Sequence, residues 1–324
     1  MAAAGKIALE EHFLDPSQDS YFETLAGGAD YFRSPAMKPI MAKLTDVDAG
    51  RLTDMDALGI EIAILSYYNG SSPQLDPDSA RAATMAQRIN DFLAQRISAH
   101  PTRFKGWATL PMQDVSASIA ELRRCAAIPG FVGALINGQT QGEYLDLPKY
   151  LPFWEAVADL NVPIYLHPGI LSADAAKAYE GYPGLAGPGW GWGADTGLHA
   201  LRLIFSGLFD RFPTLTLILG HMGELLPFHL DRVDQIWTQM RMQTPKRPIS
   251  HYLARNMMVT TSGNVSAVSL IGTTLAIGAD RILYATDYPL ALAEKFTAAV
   301  ESSPLSEADR QKIFHGNARR LFRL

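Results

Sequence analysis

The feature that most constrains the fold is a regular alternation of short apolar segments with longer segments of helical spacing. The apolar segments are residues 6–9, 60–66, 104–109, 131–137, 162–167, 215–220, 257–261 and 282–286. Helical spacing of apolar residues occurs in residues 78–99, 116–127, 150–160, 197–209, 225–242, 265–277 and 290–300. Parallel strands joined by helices produce this alternation, and eight strands close a barrel. The sequence therefore predicts an α/β fold of the (β/α)8 TIM-barrel type, with a doubly wound open sheet as the alternative.

Length and charge narrow the classes of protein further. The chain has 324 residues, of which 48% are hydrophobic, so residues 1–324 are predicted to form one domain around one core. It carries 28 basic and 33 acidic residues, with a formal net charge of −5 and no charge run. Neither a nucleic-acid partner nor a membrane-surface partner is expected from this balance. No apolar stretch approaches the ~18 residues of a membrane span, and with a single cysteine, Cys125, the sequence indicates a cytoplasmic protein.

Two connections are too long for simple turns and are predicted to cover the C-terminal face of the barrel. They are residues 13–50, after the first strand, and residues 168–195, after the fifth. The second is rich in glycine and contains Trp190 and Trp192, but it lacks the spacing of a dinucleotide-binding or phosphate-binding loop. We therefore interpret it as a flexible aromatic wall, in which Trp192 contacts a substrate.

Side chains of the types that ligate metals stand where predicted strands end. Glu10 and His12 follow the first strand, His167 ends the fifth and Asp287 follows the eighth. Residues two apart on an extended segment point the same way, and the C-terminal ends of barrel strands share one face. Each histidine alone would more simply be a packed residue, but together the four predict a site for one divalent ion. Two nitrogens and two oxygens suit zinc or manganese, with magnesium as an alternative.

A second pair of residues has the spacing of a proton-handling dyad. His221 and Glu224 follow the sixth strand three residues apart, so both would line one face of a helix beginning there. The simpler interpretation is that Glu224 is a favourable acid in a first helical turn. Further along, Arg232 would reach an anionic group of a substrate or pair with a neighbouring aspartate.

One aromatic residue completes the candidate site, and the common nucleophile motifs are missing. Tyr67, after the second strand, would stack on an aromatic ring or donate a hydrogen bond to it. The sequence contains neither a Gly-x-Ser-x-Gly elbow nor a His-Glu-x-x-His motif, and Cys125 falls within a predicted helix. Metal-assisted chemistry is therefore favoured over covalent catalysis.

These segments resemble the decarboxylase branch of the amidohydrolase superfamily over nearly the whole chain. The γ-resorcylate, 2,3-dihydroxybenzoate and salicylate decarboxylases are the nearest likeness, followed by the 5-carboxyvanillate decarboxylases. The segments that carry the resemblance are Leu9-Glu10-Glu11-His12-Phe13, Met55-Asp56-Ala57-Leu58-Gly59-Ile60, Tyr165-Leu166-His167-Pro168, Gly207-Leu208-Phe209-Asp210-Arg211-Phe212-Pro213, Ile218-Leu219-Gly220-His221-Met222-Gly223-Glu224, Thr261-Ser262-Gly263-Asn264 and Asn317-Ala318-Arg319-Arg320-Leu321-Phe322.

The resemblance implies reversible, non-oxidative decarboxylation of an ortho-hydroxybenzoate without an organic cofactor. Glu10, His12, His167 and Asp287 would hold the metal, and His221 and Glu224 would relay protons. Hydrolytic relatives carry a lysine after the fourth strand that bridges two metals, whereas here that strand ends at residues 134–137 without one. One metal ion is therefore expected, in a homodimer or homotetramer.

Removing a carboxylate from an aromatic ring without a cofactor requires the ring carbon to be protonated first. Asp287 is the predicted donor, resupplied through His221 and Glu224. Three alternatives stay open at this point: a 5-carboxyvanillate-type decarboxylase, a metal-dependent hydrolase of a lactone or amide, and an inactive barrel that serves as a binding protein. Residues 290–293 also depart from the benzoate decarboxylases, which leaves the substitution pattern of the ring open.

Overall fold

Eight parallel strands pair in chain order and close on themselves. The computed structural model describes residues 5–18, 37–242, 244–264 and 266–324, together with Tyr21, Leu25 and Pro35. The strands are Lys6–Phe13 (β1), Ile60–Tyr67 (β2), Phe104–Thr109 (β3), Phe131–Asn137 (β4), Ile164–His167 (β5), Leu217–Leu219 (β6), Met257–Thr260 (β7) and Ile282–Leu283 (β8). Backbone hydrogen bonds from the Leu9 amide to the Tyr284 carbonyl (3.1 Å) and from the His12 amide to the Tyr288 carbonyl (2.7 Å) join the first strand to the last segment. The predicted barrel is confirmed, and the open sheet is excluded.

Helices connect the strands on the outside of the barrel. They are Lys38–Thr45 (α1), Ala49–Leu58 (α2), Ser79–Ala99 (α3), Val115–Ala126 (α4), Leu151–Leu160 (α5), Ala173–Ala176 (α6), Gly191–Phe205 (α7), Leu208–Arg211 (α8), Leu230–Gln239 (α9), Ile249–Asn256 (α10), Ala267–Ile277 (α11), Ala293–Glu301 (α12), Glu307–Gln311 (α13) and Asn317–Phe322 (α14). None of the described helices is both long enough and apolar enough to cross a bilayer.

The barrel interior follows the two-residue period of its strands. Leu9 points into the barrel and packs with Trp107, Tyr165 and other buried side chains, whereas Ala8 packs outward against the helices. The Trp107 indole donates a hydrogen bond to the Leu9 carbonyl (2.8 Å), which satisfies its only polar atom inside the core. Because the interior is filled, a binding site has to form at the end of the barrel rather than through it.

The two long connections, after β1 and after β5, can be compared with their predictions to different extents. Most of residues 19–36 lies outside the described residues, so the predicted lid after β1 stays a prediction. In the second connection, α7 begins at Gly191, six residues before the predicted helix start at residue 197. The prediction that residues 191–195 belong to the loop is therefore wrong, and the packing described below gives the reason.

Candidate active site

Four side chains of metal-ligand type meet at the C-terminal end of the barrel. One ligand atom from each of Glu10, His12, His167 and Asp287 lies within 4.8 Å of the others. Glu10 Oε1 is 3.2 Å from His167 Nε2, and His12 Nε2 is 3.2 Å from Asp287 Oδ1. The first three residues are buried, and Asp287 is partly exposed. The structure thus brings together all four residues in the arrangement that the strand ends suggested.

Backbone geometry aims these side chains at one point. Glu10 and His12 are two residues apart in β1, and a register shift between Ala8 and Glu11 interrupts the two-residue period of the strand, so that both face inward although Leu9 does too. His167 is the last residue of β5. Asp287 follows β8 with a left-handed φ of 60°, which aspartate tolerates better than most residues other than glycine. Local backbone strain of this kind is often retained at functional sites because it aims a side chain.

Hydrogen bonds turn both imidazoles so that their Nε2 atoms face the cluster. His12 Nδ1 lies 3.0 Å from Ser66 Oγ, and His167 Nδ1 lies 2.7 Å from the Pro168 carbonyl oxygen. Two buried atoms of the cluster, Glu10 Oε1 and His12 Nε2, have no hydrogen-bond partner among the described residues. Buried acceptors without donors are rare in native structures, and a cation between them accounts for both. The four residues therefore fit a divalent metal ion.

Glu10 is held in its charged form. Its other oxygen, Oε2, accepts hydrogen bonds from three hydroxyl groups, those of Tyr165, Thr260 and Ser262. Burial alone would raise the pKa of Glu10, but the nearby His221, His167 and His12 outweigh burial and lower it below its ordinary value. An ionised carboxylate at the base of the cluster is what a divalent cation requires.

His221 and Glu224 contact each other through an unexpected backbone. Residues 221–225 form a turn in which every φ is positive, with values of 50° for His221, 59° for Met222, 84° for Gly223, 51° for Glu224 and 71° for Leu225. The prediction that an α-helix begins at His221 is therefore wrong, although the dyad itself forms. His221 Nδ1 is 2.6 Å from Glu224 Oε1, and its Nε2 is 3.4 Å from Glu10 Oε1. Burial disfavours the charged imidazole, but Glu224 and Glu10 raise the pKa of His221 to about 10.

Close packing explains why glycine occurs in the connection after β5, which was interpreted as a flexible loop. A Cβ on Gly193 would lie 3.0 Å from Glu224 Oε2, and a Cβ on Gly197 would lie 2.6 Å from the Glu224 carbonyl oxygen. Gly191 would meet the Ala186 carbonyl oxygen at 2.7 Å. Gly193 and Gly197 let α7 approach the left-handed turn closely, and this contact with the dyad cannot be inferred from local sequence.

We expect Gly197→Ala to weaken both the fold and the dyad. The added methyl group meets backbone, which cannot move aside as a side chain does, so the free energy of unfolding should fall by about 1–3 kcal/mol. Chemical denaturation measures the change. Gly184→Ala is the matched control, because its Cβ would meet no atom within 4 Å. Equal stability of the two variants would contradict this account of the contact.

A cavity of about 330 Å³ lies beside the cluster. Asp287, His221 and Glu224 line it together with Trp190 and Trp192. The structure therefore places Trp192 in the lining of this cavity, and its predicted contact with a substrate stays a prediction. Sequence reasoning missed the Asn264 contribution to the lining, although the motif Thr261-Ser262-Gly263-Asn264 contains it.

Two predicted substrate contacts are not brought to this cavity. Arg232 is exposed on α9 and is not part of the cavity lining. Tyr67 is buried against Phe13, with ring centroids 5.5 Å apart. Its neighbour Tyr68 is closer to the cluster, with its ring centroid 6.2 Å from that of His12.

Comparison with known sequences gives the same family across the chain. The amidohydrolase family profile matches residues 49–324. A gamma-resorcylate decarboxylase from Polaromonas sp. is 45% identical over 329 residues, which cover 99% of each protein. A gamma-resorcylate decarboxylase from Rhizobium sp. is 44% identical, with coverage of 99% of this chain and 98% of that protein.

Solved structures that resemble this chain include decarboxylases as well. A 2,6-dihydroxybenzoate decarboxylase in complex with 2,6-dihydroxybenzoate superposes with a TM-score of 0.92 at 43% identity, covering 99% of both chains. A dihydroxybenzoic acid decarboxylase from Polaromonas sp. with bound manganese and the inhibitor 2-nitroresorcinol also gives a TM-score of 0.92 at 43% identity, covering 99% of this chain and 97% of that one. A 5-carboxyvanillate decarboxylase from Novosphingobium aromaticivorans, complexed with manganese, gives 0.91 at 35% identity, covering 98% and 96%.

Proposed function

The chain belongs to the amidohydrolase family, and on that premise we propose that it is a metal-dependent decarboxylase of 2,6-dihydroxybenzoate with a single catalytic domain, residues 1–324. The observation that carries the proposal is the ligand cluster of Glu10, His12, His167 and Asp287 beside a cavity that also contains His221. Relatives that are 43–45% identical over nearly their whole length are named as decarboxylases of this acid, which is also called gamma-resorcylate. Their likeness to this chain favours it over the 5-carboxyvanillate type at 35% identity.

Glu10, His12, His167 and Asp287 would hold one divalent ion. Manganese is the first choice, because it is bound in related structures, and zinc suits the same two nitrogens and two oxygens. When bound, the metal would orient the substrate carboxylate and its ortho oxygen and stabilise negative charge there. The surrounding residues of the protein supply the proton.

The carboxylate of Asp287 would deliver a proton to the ring. It lies at the wall of the cavity, with Oδ1 3.2 Å from His12 Nε2. The proton would add to the carbon that bears the carboxyl group, the carbon–carbon bond would then break, and its electron pair would return to the ring as CO2 leaves. Because Asp287 is also a metal ligand, one of its oxygens would ligate while the other carries the proton.

His221 would resupply Asp287, and Glu224 would position His221. Glu224 accepts a hydrogen bond from His221 Nδ1 (2.6 Å), which fixes the ring and leaves Nε2 toward the cluster. A carboxylate partner of this kind orients the ring and increases its basicity. Glu224 therefore acts through His221 and is a positioning residue.

We expect Glu224→Gln to lower kcat by about 10–100-fold while KM changes less than about twofold, since the substrate contacts stay in place. Steady-state kinetics of CO2 release provide both constants. Glu180→Gln, at an exposed position, is the control for the loss of a carboxylate. A variant in which KM rises and kcat is unchanged would assign Glu224 to substrate binding instead.

The substrate is tested by CO2 release from 2,6-dihydroxybenzoate, 2,3-dihydroxybenzoate, salicylate and 5-carboxyvanillate. The proposal predicts the highest kcat/KM for 2,6-dihydroxybenzoate. A higher value for 5-carboxyvanillate would overturn the substrate assignment. No CO2 from any of the four, with metal bound, would favour hydrolysis of a lactone or amide.

The same chain would assemble as a homodimer or homotetramer. Large apolar side chains on and near α9 and α11 are exposed on the described surface, namely Phe228, Ile236, Met240, Val268 and Leu275. Exposed apolar side chains at this density are typical of surfaces that another chain covers. Light scattering of the purified protein should give two or four chain masses, and a single chain mass would contradict this part of the proposal.

A further inference from the structure

A second large cavity opens at the opposite end of the barrel from the metal-ligand cluster. Its volume is about 520 Å³, and it lies where β4 to β8 begin, beside α14. Part of its wall is apolar, including Phe131, Leu215 and Met258. Three arginines, Arg281, Arg320 and Arg323, also line it, and we call it the arginine cavity. The N-terminal face of a TIM barrel ordinarily serves stability, so a charged cavity there needs an explanation.

One of these arginines is held in place without being neutralised. Arg320 Nη2 donates hydrogen bonds to the Asp280 carbonyl oxygen (3.1 Å) and to Asn317 Oδ1 (2.9 Å), both of which are uncharged acceptors. The Asn317 amide is itself fixed by hydrogen bonds to the carbonyl oxygens of Ala279 and Ile282. The guanidinium is therefore preorganised at the cavity with its charge uncompensated.

The other two arginines have no ion-pair partner among the described residues either. Their backbone amides donate hydrogen bonds, but neither guanidinium forms a hydrogen bond or salt bridge with a described residue. Asp280 is the only acid in the lining, and its carboxylate is 3.3 Å from Lys312 Nζ. Burial and the charge of Arg320 lower the pKa of Arg281, and the nearby Asp280 offsets this lowering only in part, so the guanidinium groups of Arg281 and Arg320 repel one another. This cluster stands in a chain whose net charge is −5, so it does not reflect a basic surface in general.

We propose that the arginine cavity binds a small organic anion, with an acidic group against the arginines and an apolar body against the wall formed by Phe131, Leu215 and Met258. Guanidinium groups pair with carboxylate and phosphate oxygens in forked geometry, which would offset the repulsion between them. An inorganic anion would leave the apolar wall uncovered, so the amphipathic ligand fits better. The proposal is independent of the reaction at the other end of the barrel.

Octanoate is a suitable probe because it joins a carboxylate to an apolar chain and lacks the ring of the proposed substrate. Calorimetric titration of the full-length protein should show one saturable octanoate site per chain. Octan-1-ol keeps the apolar chain but has no charge, and inorganic phosphate keeps the charge but has no apolar chain. Each should bind at least about tenfold more weakly than octanoate. Competition between octanoate and phosphate should be detectable at high phosphate.

Arg281→Gln and Arg323→Gln test the role of charge, because neither side chain makes a described hydrogen bond that its loss would break. Each should weaken octanoate binding by about tenfold, whereas Arg88→Gln, on the exposed face of α3, should not change it. Thermal melting confirms that the variants fold. Octanoate binding of equal strength in all three variants, or no saturable binding to the native chain, would overturn the proposal. Phosphate binding as tight as octanoate would overturn the amphipathic ligand class.

Discussion

The Asp287→Asn enzyme should retain its metal and lose nearly all turnover. The amide oxygen of asparagine can still ligate a cation, but an amide cannot donate and recover a proton as a carboxylate does. General acid catalysis by a positioned side chain contributes about 10²–10⁴-fold, so kcat should fall by that factor at saturating 2,6-dihydroxybenzoate. Asp159→Asn, on the exposed face of α5, is the matched control and should keep full activity.

Elemental analysis of the same samples separates the two possible roles of Asp287. We expect about one metal ion per chain in Asp287→Asn and in the native enzyme. If the variant lost its metal, its inactivity would say nothing about proton transfer. If it held metal and decarboxylated normally, Asp287 would not be the donor, and His221 would be the next residue to test as donor.

Glu10→Gln should lose the metal itself. The substitution keeps the shape of the side chain but removes the charge that three histidines and three hydroxyl groups stabilise in the buried cluster. Removing a partner that merely orients a ligand costs about 10–100-fold in metal affinity, so loss of a charged ligand should cost more than that. Decarboxylation should be undetectable at metal concentrations that saturate the native enzyme.

Glu11→Gln is an unusually close control for this experiment. Glu11 is adjacent and equally buried, but its carboxylate accepts hydrogen bonds from the Thr286 amide (3.0 Å) and hydroxyl (2.9 Å) rather than joining the cluster. Burial raises the pKa of Glu11 to about 8, so a neutral amide resembles its protonated form. Metal content should therefore stay near one ion per chain. Loss of metal from both variants would indicate that any change in this strand disrupts the site.

The barrel and the ligand cluster could be predicted because both depend on local patterns. Alternation along β1 places Glu10 and His12 on one face, and strand order then brings His167 and Asp287 to the same end. The same alternation could have corrected the prediction that Tyr67 contacts a substrate. The Ser66 hydroxyl faces inward to His12, so the side chain of Tyr67 must face outward. The strand was predicted to end at residue 66, which left the direction of Tyr67 undefined.

The left-handed turn at residues 221–225 could not be predicted in this way. Met222, Glu224 and Leu225 do not favour positive φ, so local propensity predicts an ordinary helix there. The turn packs closely against α7 through glycines nearly thirty residues earlier in the chain, among them Gly197. Contacts between segments distant in sequence can override local preference in this way, and backbone strain is concentrated beside the cavity.

The most direct test of the central claim is to add manganese back to the metal-free enzyme while measuring both bound metal and CO2 release from 2,6-dihydroxybenzoate. We predict that turnover is absent without metal, rises in proportion to bound manganese and levels off at one ion per chain. Turnover by the metal-free protein, or binding of metal without any CO2 release from this acid, would contradict the account.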